Sequence, residues 1–81
     1  MNTEKLLEDI ITAIVDSPTD IRIESKTDDM GILLTLHVAK PDMGKVIGKE
    51  GETAKAIRTI IRVVGMKEKA RVTVKIAEPE L

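Results

Sequence analysis

The chain contains no phenylalanine, tyrosine or tryptophan. That absence excludes every mode of nucleic-acid binding in which bases stack on aromatic rings, as on RRM sheets and many single-strand platforms. A base held by this chain would have to rest on aliphatic side chains and hydrogen-bond to main chain or polar groups. Cysteine is missing too, so no disulfide or thiolate ligand exists, which fits a reducing compartment. The single histidine, His37, has no second histidine with which to build a typical zinc site. Long apolar runs are also absent. The polar start Met1-Asn2-Thr3-Glu4-Lys5 is followed by apolar residues broken by Glu8 and Asp9, so neither a signal peptide nor a spanning segment is expected. The sequence therefore predicts a cytoplasmic protein.

Catalytic patterns are equally scarce. No nucleophile–base pair stands out, and Asp28-Asp29 reads as a pair of turn carboxylates facing water. The run Gly44 to Glu50 superficially suggests a P-loop. It has three residues between its glycines instead of four, and Glu50 stands where a Ser or Thr must ligate magnesium. Neither an enzyme nor a cofactor or metal is expected.

What is present fits one small domain over residues 1–81, with 77–81 expected to fray. So short a chain buries a modest fraction of its surface, which limits stability unless it oligomerises. The net charge of −1 is low for a nucleic-acid binder, but its distribution is uneven. Lys40, Lys45, Lys49, Lys55, Arg58 and Arg62 surround one glycine-bearing segment, while most carboxylates fall in residues 4–29 and at Glu78 and Glu80. Glu50 and Glu52 dilute the positive side, so few phosphate contacts and a shallow salt dependence are expected.

Periodicity gives the element order. Leu6, Leu7, Ile10, Ile11 and Ile14 recur at helical spacing over residues 3–15, with Thr3 as N-cap and Pro18 ending the segment. Ile21 and Ile23 alternate with Arg22, Glu24 and Lys26 in a strand over 20–26. Residues 27–31 make a turn, and Ile32 to Ala39 returns antiparallel, with His37 on the face opposite Leu34 and Leu36. Asp42 is placed to cap a short helix from Met43 to Ile47. A long helix follows from Glu52 to Val64 with Gly65 as its C-cap, and Val72, Val74 and Ile76 mark a third strand. A crossover through two helices favours parallel pairing. The prediction is an α+β two-layer sandwich in the order αββααβ, with a three-stranded mixed sheet centred on its second strand.

Between the last two helices lies Val46-Ile47-Gly48-Lys49-Glu50-Gly51. Two glycines at one connection allow backbone conformations closed to other residues and leave no side chain to hold a ligand away. Amides at the start of a helix lack intrahelical partners and carry partial positive charge. A polyanion can thus lie against main chain at this point. Glu50 is compatible with that only if its carboxylate points away. A bare G-x-x-G is usually just a turn, so the flanking residues matter.

Those flanks resemble a known family. Val46-Ile47-Gly48-x-x-Gly51 followed by Ile57 is similar to the KH signature, and Thr53 to Thr59 resembles the small bacterial single-KH proteins of the KhpA type, over nearly the whole chain. Ala54 departs from the branched aliphatic residue often found at its position. The resemblance implies a type II KH fold that binds single-stranded RNA with little sequence discrimination, in an RNA-chaperone or post-transcriptional regulatory role. It implies that Gly48, Lys49, Glu50 and Gly51 contact the sugar-phosphate backbone, flanked by Lys45 and Lys55. Val46, Ile47, Ala54 and Ile57 would give core support and an apolar floor, and the strand from Arg71 the far wall. Single-stranded DNA stays open, because a backbone clamp reads the 2′-hydroxyl only where a group is placed for it.

Apolar residues also fill about half of the long helix, more than the stripe one core needs. The surplus is either Ala56, Ile60 and Val63, or Ile57 and Ile61. The resemblance implies homodimers and heterodimers with a larger KhpB-type KH protein, with an interface expected on Ile57, Ile60, Ile61 and Val64. The competing reading is a dimerisation module whose partner contacts RNA.

Overall fold

The computed structural model describes residues 2–77. They form helix α1 (Thr3–Thr12), strands β1 (Arg22–Asp28) and β2 (Gly31–His37), helices α2 (Met43–Ile47) and α3 (Glu52–Lys67), and strand β3 (Val72–Ile76), with short 3-10 turns before β1, before α2 and between α2 and α3. This is the expected α+β sandwich. The sheet has the order β1-β2-β3, with β1 antiparallel and β3 parallel to β2.

Register decides which side chains meet the helices. Ile23, Leu36 and Ile76 form one row across the sheet, and Ser25, Leu34 and Val74 the next. Leu34, Leu36, Val72 and Val74 are buried with Leu7 and Ile11 of α1, Val46 of α2, and Ala54, Ile57 and Ile61 of α3. Because strand side chains alternate, the intervening residues Glu24, Leu33, Thr35, His37, Thr73 and Lys75 fall on the other face. There His37 Nε2 lies 3.3 Å from Glu24 Oε1.

Several local expectations are corrected. Asn2, not Thr3, caps α1: its side-chain oxygen accepts from the Glu4 and Lys5 amides at 2.8 and 3.3 Å. Asp42 does not cap α2. It is buried, and its carboxylate accepts from the backbone amides of Asp16 and Ser17 at 3.2 and 3.0 Å, tying the start of α2 to the connection after α1. Helix α3 does not stop at Gly65. It runs two residues further, and Gly65 is buried against β3, where a Cβ would lie 2.8 Å from Val72 Cγ2.

The true end of α3 is a Schellman turn. The Ala70 amide donates to Gly65 O and the Lys69 amide to Met66 O, with Lys69 in the left-handed position that glycine usually fills. At the other end of β3, Ala77 is held by its amide, which donates to Leu36 O at 2.9 Å. The rest of the expected frayed tail, 78–81, lies outside the described residues. Among the described residues no helix is long and apolar enough to cross a membrane.

Candidate nucleic-acid interface

Gly48 ends α2. Its amide donates to Gly44 O at 2.8 Å, and its φ of 75° and ψ of 177° turn the chain out of the helix. Lys49, Glu50 and Gly51 then form one 3-10 turn, and Gly51, at φ 76° and ψ 12°, leads into α3. Glu50 is left-handed as well, at φ 57° and ψ 24°. A non-glycine residue pays roughly 1–2 kcal/mol for that conformation. Lys49 and Glu50 stand exposed at the tip, with neither side chain folded back onto the domain.

The loop's main chain is less open than its sequence implies. The Gly48 amide is bonded to Gly44 O, that of Gly51 to Gly48 O, and that of Glu52 to Lys49 O. The last turn of α2 and the 3-10 turn together consume these donors, so the anion-facing surface is narrower than two glycines ahead of a helix suggest. No side chain caps α3.

Beside the loop runs a shallow trough of about 230 Å³ lined by Ile47, Gly51, Ala54, Lys55, Arg58 and Ile76. That is below the ~300–1,000 Å³ of small-molecule pockets. The residues converge for simple reasons. Gly51, Lys55 and Arg58 recur at helical spacing along α3. Strand β3 begins where α3 ends, so its last residue, Ile76, returns to the level of the loop. Arg58 crosses the seam, its Nε donating to Val74 O at 3.2 Å.

The structure distributes the expected contacts unevenly. Gly48, Lys49, Glu50, Gly51 and Lys55 lie at the loop and trough, and Ile47 and Ala54 form an apolar floor. Val46 does not face the trough, because it is fully buried in the core. Lys45 points to the opposite side of α2 and pairs with the Asp16 carboxylate, which holds its ammonium above the ordinary value through that hydrogen bond. Arg71 stands at the wrong end of β3, next to Met66, Lys69 and Ala70. The far wall does come from the strand that follows Arg71, through its last residue, Ile76. Arg58 and Ile76 were not among the expected contacts, although helical spacing for one and the parallel crossover for the other could have placed them. Lys49, Lys55 and Arg58 have no carboxylate partner among the described residues.

On α3 the surplus apolar residues are now separable. Ile57 and Ile61 are buried in the domain's own core and leave nothing to offer a partner. Val64 is half-buried. Ile60 and Val63 are 46% and 56% exposed, so of the two alternative sets the first is the one at the surface.

Comparison with known proteins decides the family. Residues 4–76 match the model described as the KH domain of KhpA/KhpB. The chain belongs to that family. It is 48% identical over 73 residues to the RNA-binding protein KhpA of Clostridium acetobutylicum, covering 90% of this chain and 97% of that one. The KhpA of Bacillus subtilis is 48% identical over 69 residues, covering 85% of each chain, and that of Listeria monocytogenes 41% over 75 residues, covering 93% and 99%. A crystal structure of Aquifex aeolicus Era superposes with a TM-score of 0.61 at 19% identity, covering 91% of this chain. The chain spans 29% of Era, and at that identity the likeness concerns the fold alone.

Proposed function

We propose that the chain binds single-stranded RNA along the trough between the Gly48–Gly51 loop, α3 and the end of β3, with low overall sequence discrimination. The observation that carries this reading is the meeting of a side-chain-poor turn, an aliphatic floor and the cations Lys55 and Arg58 in one trough, with Lys49 exposed at the loop's tip beside it. Sugar-phosphate lies against the loop, with Lys49 and Lys55 within reach, and bases lie over Ile47, Ala54 and Ile76. The names of the KhpA relatives support RNA as the ligand. Weak, sequence-tolerant binding of this kind suits an RNA-chaperone or post-transcriptional regulatory role, and a cytoplasmic location belongs to the same proposal. Ultraviolet crosslinking with sequencing of the bound RNA tests it. Crosslinked peptides should map to residues 47–58 and 76. Crosslinks confined to the outer sheet face, or equal affinity for duplex and single strand, would remove it.

A second surface supports oligomerisation. Ile60 and Val63 present apolar area to solvent on the outward side of α3, with Met66 a turn beyond at 66% exposed. A second copy of this chain, or a KhpB-type KH protein, would cover them. In the competing reading this face is the main function and the partner holds the RNA.

A further inference from the structure

We propose that Arg58 makes the trough selective at one nucleotide, for a base whose edge offers two adjacent hydrogen-bond acceptors and no donor between them. Guanine presents such an edge at O6 and N7, and cytosine at O2 and N3. The inference rests on the reading of the trough as an RNA site and goes beyond its low overall discrimination.

The chain has no aromatic side chains on which a base could stack. Without rings, base identity can be read only by directional polar groups. The side chains of Ile47, Ala54 and Ile76 have none. Lys55 carries a mobile point charge on a flexible stem, which senses phosphate but not a base edge. Arg58 is different. Its Nε is anchored to the Val74 carbonyl at 3.2 Å, and the Val74 side chain is buried, so the anchor itself is fixed. One hydrogen bond therefore fixes where the guanidinium lies over the seam. Neither Nη group has an acceptor among the described residues.

A guanidinium is donor-only and planar. Its free N–H groups match an edge with two neighbouring acceptors, as in the bidentate contact of arginine with guanine O6 and N7. Adenine sets a donor, N6–H, beside N7, and uracil sets N3–H between its two carbonyls. Against either, one N–H of the fork faces another donor. The plainer role of Arg58, closing an unpaired carbonyl of edge strand β3, uses Nε alone and leaves both Nη groups unexplained.

The test compares affinities of the intact chain for four single-stranded RNAs: oligouridine, and the same oligomer with one central guanine, cytosine or adenine. The guanine or cytosine oligomer should bind about tenfold more tightly than the uridine and adenine oligomers, within the range of one bidentate base contact. Preference for guanine alone identifies the O6/N7 edge, and for cytosine alone the O2/N3 edge. In Arg58→Lys and Arg58→Gln the ratio should fall to about one, whatever happens to absolute affinity. A ratio that survives both substitutions, or equal binding of all four RNAs by the unaltered chain, overturns the proposal while leaving RNA binding standing. Failure to bind any of the four overturns both.

Discussion

Gly48 and Thr53 stand too close for a side chain to fit between them. A Cβ on Gly48 would lie 2.7 Å from the Thr53 Cβ and 2.9 Å from the Thr53 amide nitrogen. This contact fixes the angle at which α2 hands over to α3. It thereby fixes where Lys49 and Glu50 project, since both sit between the two helices.

Gly48→Ala is expected to be much worse than Gly51→Ala. The φ and ψ of Gly48 fall in a region essentially reserved for glycine, costing about 1–3 kcal/mol before any collision. Gly51 is simply left-handed, with nothing within 4 Å of an added methyl, so its substitution costs about 1–2 kcal/mol. Thermal denaturation of the two variants checks the order. Equal melting temperatures would mean that Thr53 yields freely.

Replacing the loop's tip should separate clamp from scaffold. In a Lys49→Asp, Glu50→Asp double variant, aspartate tolerates the left-handed Glu50 position better than most residues, and both side chains are exposed. The fold should survive. RNA affinity should drop about tenfold or more, because reversing the charge at Lys49 removes a phosphate-facing cation and adds a second carboxylate beside the one at position 50. Titration by fluorescence anisotropy with a circular-dichroism control reads both quantities. An unchanged binding curve would favour the scaffold reading.

The oligomer interface can be tested with a matched pair on α3. Ile60→Lys places a charge on a side chain already 46% exposed, so the monomer should fold normally and sediment as a monomer. Ile61→Lys places it in the core, where the native side chain is 0% exposed. A buried unpaired charge costs several kcal/mol, comparable with the whole stability of a small domain, about 5–15 kcal/mol. That variant should unfold. If Ile60→Lys leaves the sedimentation coefficient untouched, the face is not shared.

These contrasts show where the sequence was legible. Period-two alternation and the two-helix crossover gave strand order, pairing sense and the buried rows, because register follows directly from which face must be dry. The glycine pair gave the loop. What sequence could not supply was end-of-element detail decided by packing. Gly65 looks like a helix stop, yet β3 presses on it and Lys69 takes the left-handed place. Asp42 looks like a cap, yet two distant amides claim its carboxylate. Ile57, Ile60, Ile61 and Val64 share one broad arc, and only the packed core tells which of them point inward. Arg71 and Arg58 are both basic and near β3, but five residues of strand, roughly 16 Å, separate Arg71 from the trough's Ile76.

Asp42 should matter for stability out of proportion to its distance from the loop. It is 2% exposed and accepts two amide hydrogen bonds across the chain. Asp42→Ala leaves both donors without that partner, at a cost of about 2 kcal/mol, which lowers the melting temperature of a domain this size by roughly 10 °C. Asp42→Asn keeps one acceptor oxygen but turns its NH2 toward the other amide, donor against donor, so it should lose at least half as much. Calorimetry of the pair tests whether the two amide hydrogen bonds set the effect. Unchanged melting of both variants would remove that role.

Salt dependence gives an independent count of the phosphates held. Of the cations near the loop, Lys45 is engaged by Asp16 and Arg58 is anchored at Val74, leaving Lys49 and Lys55 for phosphate. Each phosphate neutralised on a single strand contributes about −0.7 to the slope of log K against log salt, so the slope should be about −1.4. Lys55→Gln should bring it to about −0.7, whereas Lys45→Gln should leave it unchanged, because that ammonium never reaches the strand. A drop on removing Lys45 would mean that its pair with Asp16 opens when RNA arrives, and that the clamp recruits a third cation from the far side of α2.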